Sequence, residues 1–216
     1  MRHRNPRLCT IGALAQYLFW RWHISNESAP NFQRRQDWYR LKVLVGEQPT
    51  EELAYSTHYE ACLSAFQSAG ISTKDVTHVP RSAGTQEAER LGTGEGQIKR
   101  AGHWETTSVK ISYLSRMPAK FIRRMAGFQK EEGSYVLPRA GYEPPANLQR
   151  QIWPWLEGWL ARVYARAQGK GWKAGGLAQE DRAAESFLRL LGVLRSVLLQ
   201  DLAVLQPCKY ALYLFY

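Results

Sequence analysis

Apolar positions along this chain recur mostly at three- and four-residue intervals, the period of a helix rather than the alternation of a strand. Leu14, Tyr17, Leu18 and Arg21 follow that spacing and predict a helix over residues 10–23, with Thr10 placed to cap it. Thr57-His58-Tyr59-Glu60 has the pattern of a capping box and predicts a helix through Ala69, with Gly70 as its stop. Asp75 to Arg81 reads as extended and Ser82 to Leu91 as helical. Gly92, Gly94 and Gly96 mark a turn before a short helix, Gln97 to Ala101, that ends at Gly102. Further helices are predicted over Thr107–Leu114, over a basic stretch from Lys120 to Gly127, and over Leu148–Gln168 with a break near Pro154. The prolines of 132–145 and the Gly/Lys stretch 169–176 read as loop and linker. Asp181 to Leu205 is the longest amphipathic segment. The expected fold class is mainly α, with few short strands and long C-terminal helices.

Two runs imitate membrane or export signals. Arg2, His3, Arg4 and Arg7 precede an apolar run from Leu8 to Trp20, but Arg21-Trp22-His23 follows at once and no small-residue cleavage site closes it. Phe187 to Leu205 is interrupted by Arg189, Arg195, Gln200 and Asp201, which a lipid-facing helix would not tolerate. Cys9, Cys62 and Cys208 are odd in number, far apart and without a CxxC pair. That disfavours a disulfide scaffold or a structural zinc site and fits a reducing compartment. No metal and no cofactor are expected, since the Gly92-x-Gly94-x-Gly96 run follows a helix and not the strand that a dinucleotide fingerprint needs.

Charge narrows the function. The 216 residues carry a formal net charge of +10 with 12% aromatics, which favours a polyanionic partner. Arg81 to Lys130 holds ten basic residues against four acidic ones. Lys99, Arg100, Lys110, Arg116, Lys120, Arg123, Arg124 and Lys130 interleave there with apolar positions, so helices could bury one face and offer the other to phosphates. His78-Val79-Pro80-Arg81 runs into the start of that segment, and His103-Trp104 and then Tyr113 follow within it. An Arg can meet non-bridging phosphate oxygens with parallel donors. His and Trp can add donors or move protons, and a Tyr hydroxyl can be a nucleophile at phosphorus. A core role is the competing reading for Trp104 and for Tyr113, which sits between Ile111 and Leu114; Trp153, Trp155 and Trp159 read as core.

His-x-x-Arg, Gly-His-Trp and Tyr in this order resemble the tyrosine recombinases and integrases. Leu8-Cys9-Thr10-Ile11-Gly12, Arg21-Trp22-His23, Ala126-Gly127-Phe128, Leu137-Pro138-Arg139 and Trp153-Pro154-Trp155 are similar to a narrower group. That group is domain II of the fungal centromere DNA-binding complex subunit, related to the Crypton recombinases, and the likeness spans roughly residues 5–206. It implies a nuclear, basic protein with double-stranded DNA as partner and no membrane. It implies a recombinase-like DNA-binding domain over 1–145, with 146–216 as its C-terminal helical extension. The DNA-binding set is then Arg81, Lys99, Arg100, His103, Lys110, Arg116, Lys120, Arg123 and Arg124.

Active members of the wider group need an earlier Arg and a hairpin Lys, both N-terminal to the Leu-Cys-x-Ile-Gly landmark. Neither can be assigned here, because Arg21 and Lys42 follow that landmark. The final stretch, Pro207 to Tyr216, also departs from the pattern. The expectation is an N-terminally truncated relative that binds duplex DNA in a sequence-tolerant way without catalysis. Two alternatives stay open. One is an active recombinase with Tyr113 as nucleophile, assisted by His78, Arg81, His103 and Trp104. The other is a helical interaction module that forms a homodimer.

Overall fold

The structure is a computed structural model and describes residues 1–104, 117–128, 135–167 and 181–206. A 3-10 turn, Pro6–Leu8, leads into α1, Thr10–Phe19, which continues as one π-helical turn, Trp20–Ile24. The short α2 spans Arg35–Trp38 and α3 spans Tyr55–Ser68. Next come α4, Val79–Arg90, α5, Glu95–Ala101, and α6, Ala119–Met125. A 3-10 turn at Pro138–Gly141 precedes α7, Ala146–Gln151, α8, Leu156–Ala167, and α9, Arg182–Leu205. Among the described residues the β-structure is a single isolated bridge, Val45 to Glu52, so the fold is mainly α. No described helix is long and apolar enough to cross a membrane. The expected helix over 107–114 and the 169–176 linker lie outside the described residues.

Three helix starts differ from the sequence reading, each for a local reason. The cap of α1 is Cys9, whose sulfur accepts the Gly12 N–H at 3.4 Å, and Thr10 is already the first helical residue. The Thr57 box is not used, because α3 begins two residues earlier and no side chain caps it. In α4 the residue before Pro80 was read as extended, yet Val79 opens the helix, since proline in a first turn gives up an N–H that has no helical partner anyway. The break at Pro154 and the Asp181 start are as expected; Asp181 Oδ1 accepts the Ala184 N–H at 3.1 Å.

The chain divides into two compact units. Unit 1 is Lys42–Tyr135, with Met1 and His3; unit 2 is Arg4–Leu41 and Val136–Tyr216, with Arg2. Unit 2 holds the main core, in which Ala15 and Leu18 of α1 meet Leu188, Leu191, Leu194 and Leu198 of α9, with Ile152, Leu156 and Val163 beside them. An aromatic cluster of Trp22, Phe32, Trp38, Trp155, Trp159 and Phe187 closes one side through edge, stacked and tilted contacts at 5.4–6.4 Å. Trp153 is fully buried at a left-handed φ of 51°, a strained conformation for a bulky residue that the surrounding packing must offset. The tryptophans of 153–159 are thus core.

Of the polar residues that interrupt α9, Arg195, Gln200 and Asp201 point inward, each to a partner, whereas Arg189 is exposed and pairs with Glu185 along the helix. Asp201, fully buried, accepts Arg2 Nη2 at 2.6 Å and Arg139 Nε at 2.5 Å on its Oδ1. Arg139 also reaches the Arg4 carbonyl at 2.8 Å, and Gln200 donates to the Tyr142 carbonyl at 2.6 Å. The network ties the N-terminal residues and the Pro138 turn to α9. It also requires Gly12, where a Cβ would sit 2.2 Å from Asp201 Oδ2. Arg195 donates to the Trp153 carbonyl at 2.6 Å and to Glu157. Arg21, on the π turn, is buried against Glu27 in a bidentate pair at 2.6 and 2.7 Å.

Candidate nucleic-acid interface

The residues singled out by sequence lie in unit 1, whose four longer helices all stop in the same way. In each, the C″ N–H bonds the C3 carbonyl and the C′ N–H bonds the C2 carbonyl. The left-handed C′ residue is Gly70 after α3, Gly92 after α4 and Gly127 after α6. After α5 it is His103, at φ 56°, with its N–H on the Arg100 carbonyl at 3.2 Å and the Trp104 N–H on the Lys99 carbonyl at 2.9 Å. A non-glycine residue in this region costs about 1 kcal/mol. His103 is therefore held where glycine would be the cheaper choice.

Gly102 serves a different purpose. A Cβ there would lie 2.7 Å from Cδ2 and Cε2 of Trp104, so the absent side chain is what lets the indole fold back over the helix end. Arg81, in the first turn of α4, reaches the same place. Its Nη2 donates to the Gly102 carbonyl at 2.6 Å, and its guanidinium lies over the Trp104 ring, 5.0 Å from the centroid. Arg81, His103 and Trp104 are all exposed. His78 stands three residues before Arg81 at the α4 start, with no capping bond from its side chain, and is also exposed. The fold thus joins Arg81 to the Gly-His-Trp corner, 21 residues away, by one hydrogen bond and one ring contact.

The remaining cations have different surroundings. Lys99 pairs with Glu95 at 2.6 Å, and this ammonium, by hydrogen bond and then by charge, holds the Glu95 carboxyl below its ordinary value. Arg100 Nε donates to the Gly96 carbonyl at 3.2 Å. Lys120 is exposed and Arg123 half-buried on α6. Arg124 is inside unit 1, 8% exposed, with Nη1 against the Gly92 turn. Tyr113, Lys110, Arg116 and Lys130 lie outside the described residues. Among the described residues no group of three or more His, Cys, Asp or Glu could hold a metal ion.

Sequence reading passed over one participant, the Gly102 carbonyl. It had a signal, since glycine beside tryptophan at a helix end announces a close approach.

The arrangement offers fixed donors on an exposed surface. An Arg braced by an indole and a carbonyl keeps its other N–H groups free to meet an oxyanion. No curated protein and no solved structure matches the chain. Residues 1–215 match the family model described as centromere DNA-binding protein complex CBF3 subunit, domain 2, and the chain belongs to that family.

Proposed function

We propose that this protein binds duplex DNA through the exposed Arg81–His103–Trp104 corner of unit 1, gripping backbone phosphates rather than reading base edges. The observation that carries the reading is the bracing of Arg81 by the Gly102 carbonyl and the Trp104 ring, which lowers the entropy lost when a guanidinium is held for bidentate contact. The family's description as a centromere DNA-binding complex subunit and the net charge of +10 support it. Phosphate contacts position a protein without carrying sequence information, so the binding is sequence-tolerant. His78, Lys99, Arg100, Lys120 and Arg123 extend the same basic surface, with Lys110 and Arg116 as further contacts. On this reading the protein works in the nucleus, which the family's description as a centromere DNA-binding complex subunit supports. The proposed role is binding alone, with Tyr113 making no covalent bond to the strand; a nicked suicide duplex that gives a covalent band, absent in Tyr113→Phe, would replace it by the recombinase reading.

The test is fluorescence anisotropy on a labelled duplex between low and moderate salt. Each neutralised phosphate contributes about −0.9 to the log–log salt slope, so several contacts give a slope steeper than roughly −4. Arg81→Ala is expected to weaken binding by about 1–3 kcal/mol, the scale of a charge-assisted hydrogen bond, with unchanged helicity by circular dichroism. Affinity independent of salt would remove the proposal.

A further inference from the structure

We propose that Arg124, Thr93 and Gln97 form a separate site for one phosphoryl-type oxyanion beneath the Gly92–Gly94 turn. Arg124 is more than nine-tenths buried, and its Nη1 is sealed from solvent with no hydrogen-bond acceptor. The hydroxyl of Thr93, 5% exposed, is orphaned in the same way, as is the amide oxygen of Gln97. The three belong to one neighbourhood. A Cβ on Gly92 would stand 3.8 Å from Arg124 Nη1, Thr93 is the next residue, and the Gln97 N–H is bonded to the Gly94 carbonyl at 2.9 Å.

A buried guanidinium nitrogen without an acceptor is costly, and no described carboxylate relieves it. On α4 and α5, Glu87 is committed to Arg90 at 2.7 Å and Glu95 to Lys99 at 2.6 Å, while Glu89 is exposed; α6 has no acidic residue. Among the described residues Arg124 Nη1 therefore has no carboxylate opposite it. Its chemistry is that of donors: guanidinium N–H, threonine O–H and, with the Gln97 amide turned over, an N–H of that amide. Such a set excludes a cation and suits the several acceptor oxygens of a phosphoryl group. None of the orphaned atoms takes part in the Arg81 bond to Gly102, so this inference goes beyond the proposed duplex contact and does not rest on it.

The experiment is thermal melting of the full chain in sodium phosphate against sodium chloride at matched pH and ionic strength, without DNA. Phosphate at about ten times its Kd is expected to raise Tm by about 3–5 °C, saturably. Arg124→Met is expected to lose that response and to melt above the parent in chloride, because the uncompensated charge is gone. Thr93→Val keeps the guanidinium and is expected to shift the midpoint of the phosphate titration several-fold upward, which covers the case of a misfolded Arg124 variant. Equal melting in phosphate and chloride would overturn the proposal in favour of buried water, and so would an Arg124→Met variant that responds like the parent. Anisotropy on duplex DNA then separates the sources. Phosphate that weakens DNA binding in the parent but not in Arg124→Met identifies a backbone phosphate as occupant; unchanged DNA binding identifies the free anion.

Discussion

In unit 2 the side chains of α1, α8 and α9 bury leucines, tryptophans and paired charges together, and even its interrupting residues, Arg195, Gln200 and Asp201, find partners inside. Among the described residues unit 1 buries less, namely Val76, Ala88, Ile98, Ala126 and Phe128, while single buried polar atoms without a partner occur in both units, on Thr93, Gln97 and Arg124 in unit 1 and on Arg2, Trp153, Arg195 and Asp201 in unit 2. Its longest helix, α3, leaves no residue fully buried, with Tyr59, Cys62, Leu63 and Phe66 half-buried. What unit 1 has instead is four helices ended by the same backbone motif and a set of exposed cations. Stability is concentrated in one unit and polar, exposed chemistry in the other. Elements with few buried apolar contacts are the ones that open most easily.

The contrast breaks most readily in unit 2. Asp201→Asn removes the charge that Arg2 and Arg139 share, leaving two largely buried guanidiniums against a neutral amide. The expected loss is about 3–5 kcal/mol in urea unfolding, the cost of stripping one member from a buried ion network. A smaller but still large effect is expected from Leu194→Ala in the α9 core, about 2–4 kcal/mol, against less than about 0.5 kcal/mol for Ser64→Ala on α3. Similar losses at both positions would erase the distinction between the units.

In unit 1 the expected change has the opposite sign. His103→Gly relieves the left-handed strain after α5 and is expected to stabilise the unit by up to about 1 kcal/mol while weakening duplex binding. A variant that binds DNA as the parent does would show that the histidine is retained for neither contact nor position. The smallest effect concerns acid. Burial pushes the Glu157 carboxyl up, but its hydrogen bond to Arg195, its own backbone and the nearby positive charges outweigh that and hold it below its ordinary value of 4.5. A lowered carboxyl contributes stability that is complete above that value and is lost as pH falls through the folded-state value. Tm measured below about pH 4.5 is therefore expected to fall less steeply in Glu157→Gln than in the parent, modestly so because the carboxylate is half exposed.

The sequence by itself determined what depends on neighbours three or four residues away. The apolar period marked α1 and α9, the Thr57 pattern and the glycines marked α3 and α5, and the basic stretch marked α6, each to within a few residues; Pro154 marked the break before α8, and Asp181 marked the start of α9. It also marked His78, Arg81, His103 and Trp104 as a constellation. Charge and residue type could not say which way a side chain turns, because a basic residue among apolar ones looks the same whether its face is wet or dry. Arg124 and Arg123 are adjacent in sequence, yet one is buried and the other half-buried. Only the tertiary structure decided that Arg81 rests on Trp104, that Asp201 meets an arginine 199 residues away, and that Cys9 rather than Thr10 caps α1. Each of these is a contact whose free energy exists only after helices have packed, so no local pattern announces it.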